Sequence, residues 1–280
     1  MSWHAHLQLD YTHDGHTTGA LDRHEGPLRV LQRLYPEGPG ICHHVLVHPP
    51  GGIVGGDTLQ LDARLARDCH ALITTPGATR FYRSAGPIAL QQVQAQLGDG
   101  ARLEWLPLET IAYDRCQAHN RLRFTLEPGA EMIGWDVLAL GLPAAGQAFN
   151  QGSFLQELVL PGAWLERGCI DASDALLLDS PLGWAGRRVL ATLWFGAGAA
   201  LPASRREQLV DAARAQLVTG STPLTAGVLA GVTSPHERVV VLRLLADRVE
   251  PAMQTLAAAW GAWRQAAWGL APTPPRVWRT

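Results

Sequence analysis

The sequence predicts a mainly β protein in which the strands form a helical stack, as in a β-solenoid, followed by two C-terminal α-helices. Three observations lead to this fold class. Apolar and polar side chains alternate along most of residues 1–200, and a unit of about 30 residues recurs within that stretch. Beyond residue 200 the apolar spacing becomes helical.

Alternation with a period of two places successive side chains on opposite faces of a strand. It is clearest at residues 3–11, 59–65 and 122–126, where every second residue is apolar. We therefore expect half-buried strands there. Short segments typical of turns separate such runs; they are Pro76-Gly77, Gly98-Asp99-Gly100, Pro128-Gly129 and Pro161-Gly162.

A weak internal repeat runs through the predicted strands. An alanine recurs at Ala71, Ala101, Ala130 and Ala163, so the steps between copies are 30, 29 and 33 residues. Steps of nearly constant size indicate stacked β units, each of which covers the apolar face of its neighbour. The alternative, that Gly-Ala simply follows many hairpin turns, stays open.

The last third has helical spacing. Ser204 and Glu207 form a capping box that predicts the start of a helix, and Gly220 predicts its end. A strand is expected at residues 239–244, and Pro251 suits the first turn of a second helix. One face of that helix carries apolar side chains at Met253, Leu256, Trp260, Trp263 and Ala267. We expect one domain: a β-rich stack over residues 1–200, a helix–strand–helix unit over 201–270 and an extended tail over 271–280.

Composition argues against several classes of function. The net charge of −2 provides no electrostatic case for nucleic acid or an acidic membrane as a partner. The chain contains no lysine, which removes lysine nucleophiles, and its four cysteines are too far apart in sequence for a zinc knuckle. Because we find no signal peptide and no apolar run of membrane-spanning length, we expect a cytoplasmic protein.

The most unusual segment is His-Pro-Pro-Gly-Gly-Ile-Val-Gly-Gly-Asp at residues 48–57, and a second motif, Thr-Thr-Pro-Gly-Ala-Thr-Arg-Phe-Tyr-Arg-Ser, follows at 74–84. Neither has a phosphate-binding pattern. A P-loop needs a lysine, and Ile53 occupies the place of the second glycine of a dinucleotide loop. Paired glycines permit positive φ or close backbone approach. We therefore expect the glycines to shape the backbone or to contact another protein.

Candidate ligands and catalytic groups are dispersed along the chain. Cys42, His43, His44 and His48 could suggest a metal site, but adjacent residues of a strand point to opposite faces, and a structural site needs four convergent ligands. No Gly-x-Ser-x-Gly elbow is present to anchor a hydrolase triad. The acids that could act in catalysis occur singly, at Asp57, Glu109, Asp136 and Glu166. We therefore expect no enzymatic activity.

Three segments resemble the urease accessory protein family UreD, also called UreH. They are the motifs at 48–57 and 74–84 and the segment Leu-Glu-Trp-Leu-Pro-Leu-Glu-Thr-Ile at 103–111. The resemblance begins near Gly26-Pro27-Leu28 and ends with Pro275-Arg276-Val277-Trp278, so it covers nearly the whole chain. It implies a β-rich helical stack with two helices, in agreement with the period and the repeat.

The resemblance also implies a function. UreD-family proteins form a complex with UreF, with UreG through UreF, and with apo-urease, and they help to deliver nickel(II) to the urease active site. We therefore expect a maturation scaffold with nickel(II) in transit, no tightly bound cofactor and an internal tunnel. By matching motif context, the positions implied along the tunnel are Cys42, Asp57, Asp136 and Glu166. Dispersed ligands suit transit, because an ion must bind well enough to enter and weakly enough to leave.

The chain departs from the family pattern at two places. Leu142 and Gln147 replace an arginine and a glutamate, which weakens the case for a metal role at Gln147. Residues 113–120 lack the glycine that is usual near that strand bend. Two other functions stay open on the residues alone: a β-helical carbohydrate-active enzyme, which would need carboxylates clustered on one face, and a generic β-rich adaptor without a metal role.

Overall fold

The computed structural model of this chain describes residues 2–218 and 227–279. The strands in chain order are β1 (His4–His13), β2 (Thr18–Glu25), β3 (Arg29–Leu34), β4 (Ile41–Val47), β5 (Thr58–Leu65), β6 (His70–Thr74), β7 (Thr79–Phe81), β8 (Ala89–Leu97), β9 (Arg102–Leu106), β10 (Thr110–Ala112), β11 (Cys116–Leu126), β12 (Glu131–Leu140), β13 (Gly152–Leu160), β14 (Trp164–Asp171), β15 (Val189–Ala197), β16 (Leu229–His236) and β17 (Val239–Ala246). The α-helices are α1 (Ala175–Asp179), α2 (Ala203–Val218) and α3 (Val249–Trp268), and single turns of 3₁₀-helix span Pro143–Ala145 and Arg276–Arg279.

Two sheets enclose a common core, which confirms the predicted mainly β, solenoid-like class. In the first sheet β1, β5, β8, β11 and β13 run parallel, and the antiparallel strands β2 and β14 form its edges. In the second sheet β4, β6, β9 and β12 run parallel. Antiparallel β3 ends it on one side, and β15, β17 and β16 extend it on the other. Each coil of the stack therefore contributes one strand to each sheet.

The 30-residue repeat corresponds to these coils in its first three copies. Ala71 lies in β6, and Ala101 and Ala130 immediately precede β9 and β12, which stack side by side with β6. The copy at Ala163 differs, because there the chain turns back as β14 along β13 in the same sheet. The hairpin interpretation of the repeat therefore applies only to its last copy.

A short third side of the stack brings distant segments together. β7 and β10 pair in parallel, β10 also pairs with β12, and Ile53 forms a bridge with Phe81 of β7. Residues from the segments 48–57, 74–84 and 103–111 consequently lie next to one another.

Helices α2 and α3 pack on the outer face of the second sheet and give the protein a second core layer. Trp260 and Trp263, which the sequence places on one face of α3, are fully buried in that layer, so they leave no aromatic face uncovered. Trp278 of the tail packs beside Trp135 and Trp260, with ring centroids 5.1 and 5.6 Å apart. No helix within residues 2–218 and 227–279 is long and apolar enough to cross a membrane.

The last third differs from its prediction in several details. Helix α2 begins at Ala203, where Arg205 N and Arg206 N both donate to Pro202 O, so Ser204 lies inside the first turn and does not cap it. The expected strand is one arm of the hairpin β16–β17, the tail ends in a helical turn, and α1 was not predicted. Gly220, the predicted helix end, lies outside the described residues.

A buried polar network fixes α3 to the second sheet. Glu104 of β9 accepts hydrogen bonds from Trp260 Nε1 at 2.6 Å and Arg264 Nε at 3.1 Å. The two terminal nitrogens of Arg264 donate to Glu37 at 2.7 and 2.9 Å, and Glu37 also pairs with His43 Nε2 at 2.8 Å. Burial alone would raise the pKa of Glu37, but its bonds to His43 and Arg264 lower that pKa to about 2. The loop before β4 is thereby fixed to α3.

Candidate functional site

The three motifs of the sequence line one cavity between the sheets, which we call the motif cavity. Its volume is about 350 Å³. Residues 75–80 contribute to its wall, together with inward-facing residues of β4, β5 and β8 such as Leu46, Leu59 and Gln91. The other two motifs contribute His48, Pro49, Gly51, Gly52, Trp105 and Pro107. The resemblance therefore rests on segments that line the same cavity.

In the first motif, each glycine pair combines an unusual backbone conformation with close packing. The positive-φ members are Gly51 (φ +78°) and Gly56 (φ +94°). A Cβ at Gly52 would lie 2.1 Å from the ring of Tyr82, and one at Gly55 would lie 2.1 Å from Ser84 Oγ. The glycines thus pack the first motif against the second, and their expected role in shaping the backbone is confirmed.

Asp57 ends the first motif and is almost completely buried, with 2% exposure. Its Oδ1 accepts a hydrogen bond from Trp3 N at 2.8 Å, and its Oδ2 accepts one from Val54 N at 3.0 Å. Burial lowers the pKa of His48, a residue of the cavity wall, and the negative charge of Asp57 opposes that shift. Both carboxylate oxygens therefore join the start of β1 to the turn before β5, and each keeps further acceptor capacity.

A chain of hydrogen-bonded side chains leaves the motif cavity and crosses the mostly apolar core between the sheets. We call it the polar track: Gln91, Asn120, Asp136 and Gln156. Gln91 Nε2 donates to Asn120 Oδ1 at 3.1 Å, and Asn120 Nδ2 donates to Asp136 Oδ1 at 3.0 Å. Gln156 Nε2 donates to the other oxygen of Asp136. Because Asp136 lies on β12 and the other three members of the track lie on β8, β11 and β13, the track spans both sheets.

Asp136 and Glu166 are the two predicted positions that the fold brings into electrostatic contact. Burial raises the pKa of Asp136 to about 7, and the negative charge of Glu166 adds to that rise. Burial also raises the pKa of Glu166, against the effect of Arg243, whose Nη2 donates a hydrogen bond to it. Arg243 lines an open pocket of about 540 Å³ with Trp164 and residues of β16 and β17, which we call the edge pocket. The polar track therefore points from the motif cavity toward the edge pocket.

Three buried polar atoms on the inward face of the second sheet have no hydrogen-bond partner in the described part of the chain; they are Trp105 Nε1, Thr192 Oγ1 and Trp194 Nε1. Thr192 pairs in register with Asp136 on one side and Arg243 on the other, so the three side chains form one row on the face toward the first sheet. Buried groups of this kind usually bind a protein group, an ordered water or an ion. Thr192 Oγ1 is therefore an unused polar atom on the strand next to Asp136.

Cys42 lies apart from these groups. It is four residues from Leu46 of the cavity wall along β4, roughly 13 Å on an extended strand. Its sulfur is 4.0 Å from His44 Nε2, and His44 Nδ1 is 2.7 Å from the Tyr11 hydroxyl. Burial raises the pKa of Cys42 and lowers that of His44 to about 4, so both groups are neutral at pH 7. His43 faces the helix layer instead, which confirms the predicted opposite orientations.

Across residues 2–218 and 227–279, no three His, Cys, Asp or Glu side chains converge into a group that could hold a metal ion. The carboxylates of Asp136 and Glu166 and the hydroxyl of Thr192 are oxygen ligands, which nickel accepts but binds less tightly than nitrogen. Chemically, the arrangement can attract a divalent cation without enclosing it.

The two departures from the family pattern have simple structural outcomes. Arg115 makes the bend in residues 113–120 with φ +64°, a conformation that costs a non-glycine residue about 1–2 kcal/mol. Gln147 is exposed, and backbone hydrogen bonds between Leu142 and Gln147, at 2.6 and 3.1 Å, close their loop.

Sequence reasoning missed most of the side chains that complete the site; they are Gln91, Asn120, Gln156, Thr192 and Arg243. A signal was available for two of them. Asn120 precedes Leu122 by two residues and Gln156 follows Phe154 by two, so each is a polar residue at an inward-facing position of its strand.

The fold and this geometry define a two-sheet β-stack protein with a polar track through its interior. A family model described as UreD urease accessory protein matches residues 4–279. The chain is 65% identical over 282 residues to the urease accessory protein UreD of Leptothrix cholodnii, with 100% of each chain covered. It is 60% identical over 278 residues to that of Paracidovorax citrulli (99% of each) and 56% identical over 280 residues to that of Variovorax paradoxus (100% of each). The chain belongs to the UreD family of urease accessory proteins.

Membership of this family decides between the functional alternatives that the residues left open. A urease accessory protein is a maturation factor for urease and is not itself an enzyme, so the carbohydrate-active alternative is set aside.

Proposed function

We propose that this chain is a non-catalytic scaffold that bridges apo-urease and the UreF–UreG complex, and that nickel(II) passes between its two sheets. The observation that carries this proposal is the polar track. Buried polar side chains destabilise a core unless they are hydrogen-bonded, and an apolar core would fold without them. A hydrogen-bonded line from Gln91 to Gln156 is therefore better explained by transport than by folding.

The chemistry of the track suits an ion that must move on. Asp136 supplies a carboxylate in the middle, amide oxygens of neighbouring side chains can turn toward a cation, and Glu166 supplies a second carboxylate at the far end. Such oxygen ligands bind nickel(II) loosely, as a transit route requires. Asp57 contributes negative charge beside the motif cavity. We leave Cys42 out of the route, because its thiol lies among neutral groups away from the track.

Membership of a family of urease accessory proteins supports the bridging role, and we propose that UreG is reached through UreF. Near-neutral net charge and the exposed loops of the first two motifs are compatible with docking to other proteins. Nickel(II) is cargo in this proposal, and no tightly bound cofactor is required.

The test is Asp136→Asn, which keeps the shape and removes the ionisable carboxyl group. The variant is co-expressed with urease and the other accessory proteins, and both the nickel content of urease and the capture of urease and UreF by the tagged chain are measured. We expect urease matured with the variant to contain several-fold less nickel, while the tagged variant still captures urease and UreF. The matched control is Asp62→Asn on the outer face of β5. Full nickel loading would reject the passage and leave a scaffold without a metal role, and failure of the wild-type chain to capture both partners would reject the bridge.

A further inference from the structure

One end of the interior space carries an ion pair between the two sheets. Glu166 lies on β14, the last strand of the first sheet, and Arg243 lies on β17 of the second sheet. Arg243 Nη2 donates to Glu166 Oε2, and the side chains are 50% and 22% exposed, respectively. Arg243 also lines the edge pocket, so the pair lies between buried Asp136 and an open surface.

The surroundings of this pair offer oxygen atoms from both sheets. Asp136, Thr192 and Arg243 are register neighbours on β12, β15 and β17, so Asp136 and Arg243 lie two strand spacings apart, roughly 10 Å between Cα atoms. Thr192 is 2% exposed, and its Oγ1 has no partner among the described residues. Glu166 faces this row from the first sheet and contacts Arg243, while Asp136 and Thr192 supply a further carboxyl and a hydroxyl on the two neighbouring strands.

We propose that Arg243 is a built-in competing cation: it neutralises Glu166 and keeps this end of the polar track closed until a divalent cation displaces it. The proposal rests on the passage of nickel(II) proposed above and adds a gate to it. A divalent ion attracts the same carboxylate about twice as strongly as a monovalent guanidinium at equal distance and dielectric. Arginine has a long, flexible stem, and the edge pocket gives the displaced side chain room to move.

A second consequence is that Arg243 keeps the wild-type affinity for divalent cations low. Without its charge, Glu166 and Asp136 would face each other across the row with no internal counter-ion. Two carboxylates and a hydroxyl would then hold a cation longer than transit allows. Arg243 therefore favours release as well as closure.

The test measures Ni²⁺ binding to the isolated full-length chain by equilibrium dialysis. Arg243→Gln should bind Ni²⁺ at least about tenfold more tightly than the wild type, a difference of about 1.4 kcal/mol. The double variant Arg243→Gln/Glu166→Gln should not bind Ni²⁺ more tightly than the wild type. The Ni²⁺ affinity of Arg243→Lys should be within about threefold of the wild-type value, because lysine keeps the positive charge. Arg167→Gln is the matched control, since Arg167 is on the same strand as Glu166 but pairs with Glu157 on the outer face.

Folding of each variant is checked by circular dichroism, and Arg243→Thr, a residue suited to strands, replaces Arg243→Gln if the latter unfolds. Unchanged affinity in the folded variant, or a gain that persists after Glu166→Gln, would overturn the role of Arg243. Because the dialysis contains no urease, a tighter Arg243→Gln shows that Arg243 competes with Ni²⁺ for Glu166 even if Asp136→Asn delivers nickel normally, an outcome that would reject the passage and leave the competition without a transport role. Unchanged affinity overturns the gate even if nickel delivery depends on Asp136.

Discussion

Glu37→Gln tests how strongly the buried network holds the C-terminal helix to the stack. The side chain of Glu37 is 10% exposed and accepts hydrogen bonds from both terminal nitrogens of Arg264, whose side chain is fully buried. Glutamine has the same shape but only one acceptor oxygen, and it carries no charge. The substitution therefore leaves part of a buried guanidinium without its partner, a change that usually destabilises proteins by about 3–5 kcal/mol.

The pKa of Glu37 provides a second measure of the same interaction. Its bonds to His43 and Arg264 lower the pKa from 4.5 to about 2 against the opposing effect of burial. At about 1.4 kcal/mol per pKa unit, this shift corresponds to about 3 kcal/mol. Because the folded-state pKa is the lower one, the stabilisation is complete above pH 4.5 and is lost as the pH falls toward 2.

The assay is urea unfolding of the wild type and Glu37→Gln at pH 7, 5, 3.5 and 2.5. We expect a difference in free energy of unfolding of about 3 kcal/mol at pH 7 and pH 5 that narrows at each lower pH. Glu207→Gln on the exposed side of α2 is the control and should be neutral. A difference that is absent at pH 7, or that stays constant down to pH 2.5, would refute the assignment of this stability to the Glu37 carboxylate.

Three other substitutions test the neighbourhood of the site by urea unfolding. Gly52→Ala should lower the free energy of unfolding by about 1–3 kcal/mol, because the new Cβ would lie 2.1 Å from the Tyr82 ring. Gly77→Ala is the control and should be tolerated, because a Cβ there would have no atom within 4 Å. Equal effects of the two substitutions would contradict the packing argument. Asp57→Asn should lower the free energy of unfolding by about 1–3 kcal/mol, because one amide oxygen cannot accept both backbone hydrogen bonds that the two carboxylate oxygens accept. Wild-type stability of the variant would show that the turn needs only one of these bonds. Arg115→Gly should raise the free energy of unfolding by up to about 1 kcal/mol, because glycine adopts φ +64° without strain. A lower free energy of unfolding would mean that the Arg115 side chain stabilises the protein by more than its backbone strain costs.

The sequence alone was sufficient for the parts of the fold that depend on a few consecutive residues. Period-two alternation predicted strands β1, β5 and β11, and the Pro-Gly and Gly-Asp-Gly turns between strands were predicted with them. Alternation is a local property, because each side chain is placed by its own backbone angles. The 30-residue repeat indicated the stacking for the same reason, since each coil repeats the same local pattern.

Tertiary structure alone decided which inward-facing residues meet. Asn120, Asp136 and Gln156 each occupy an inward position of a separate strand, and nothing in their spacing shows that they share hydrogen bonds. That contact depends on how the two sheets are placed across the core, which is set by packing over the whole stack. The same limit applies to Glu166 and Arg243, 77 residues apart: the family resemblance suggested Glu166 as a position on the route, but no pattern in the sequence indicated its pairing with Arg243 at the edge pocket.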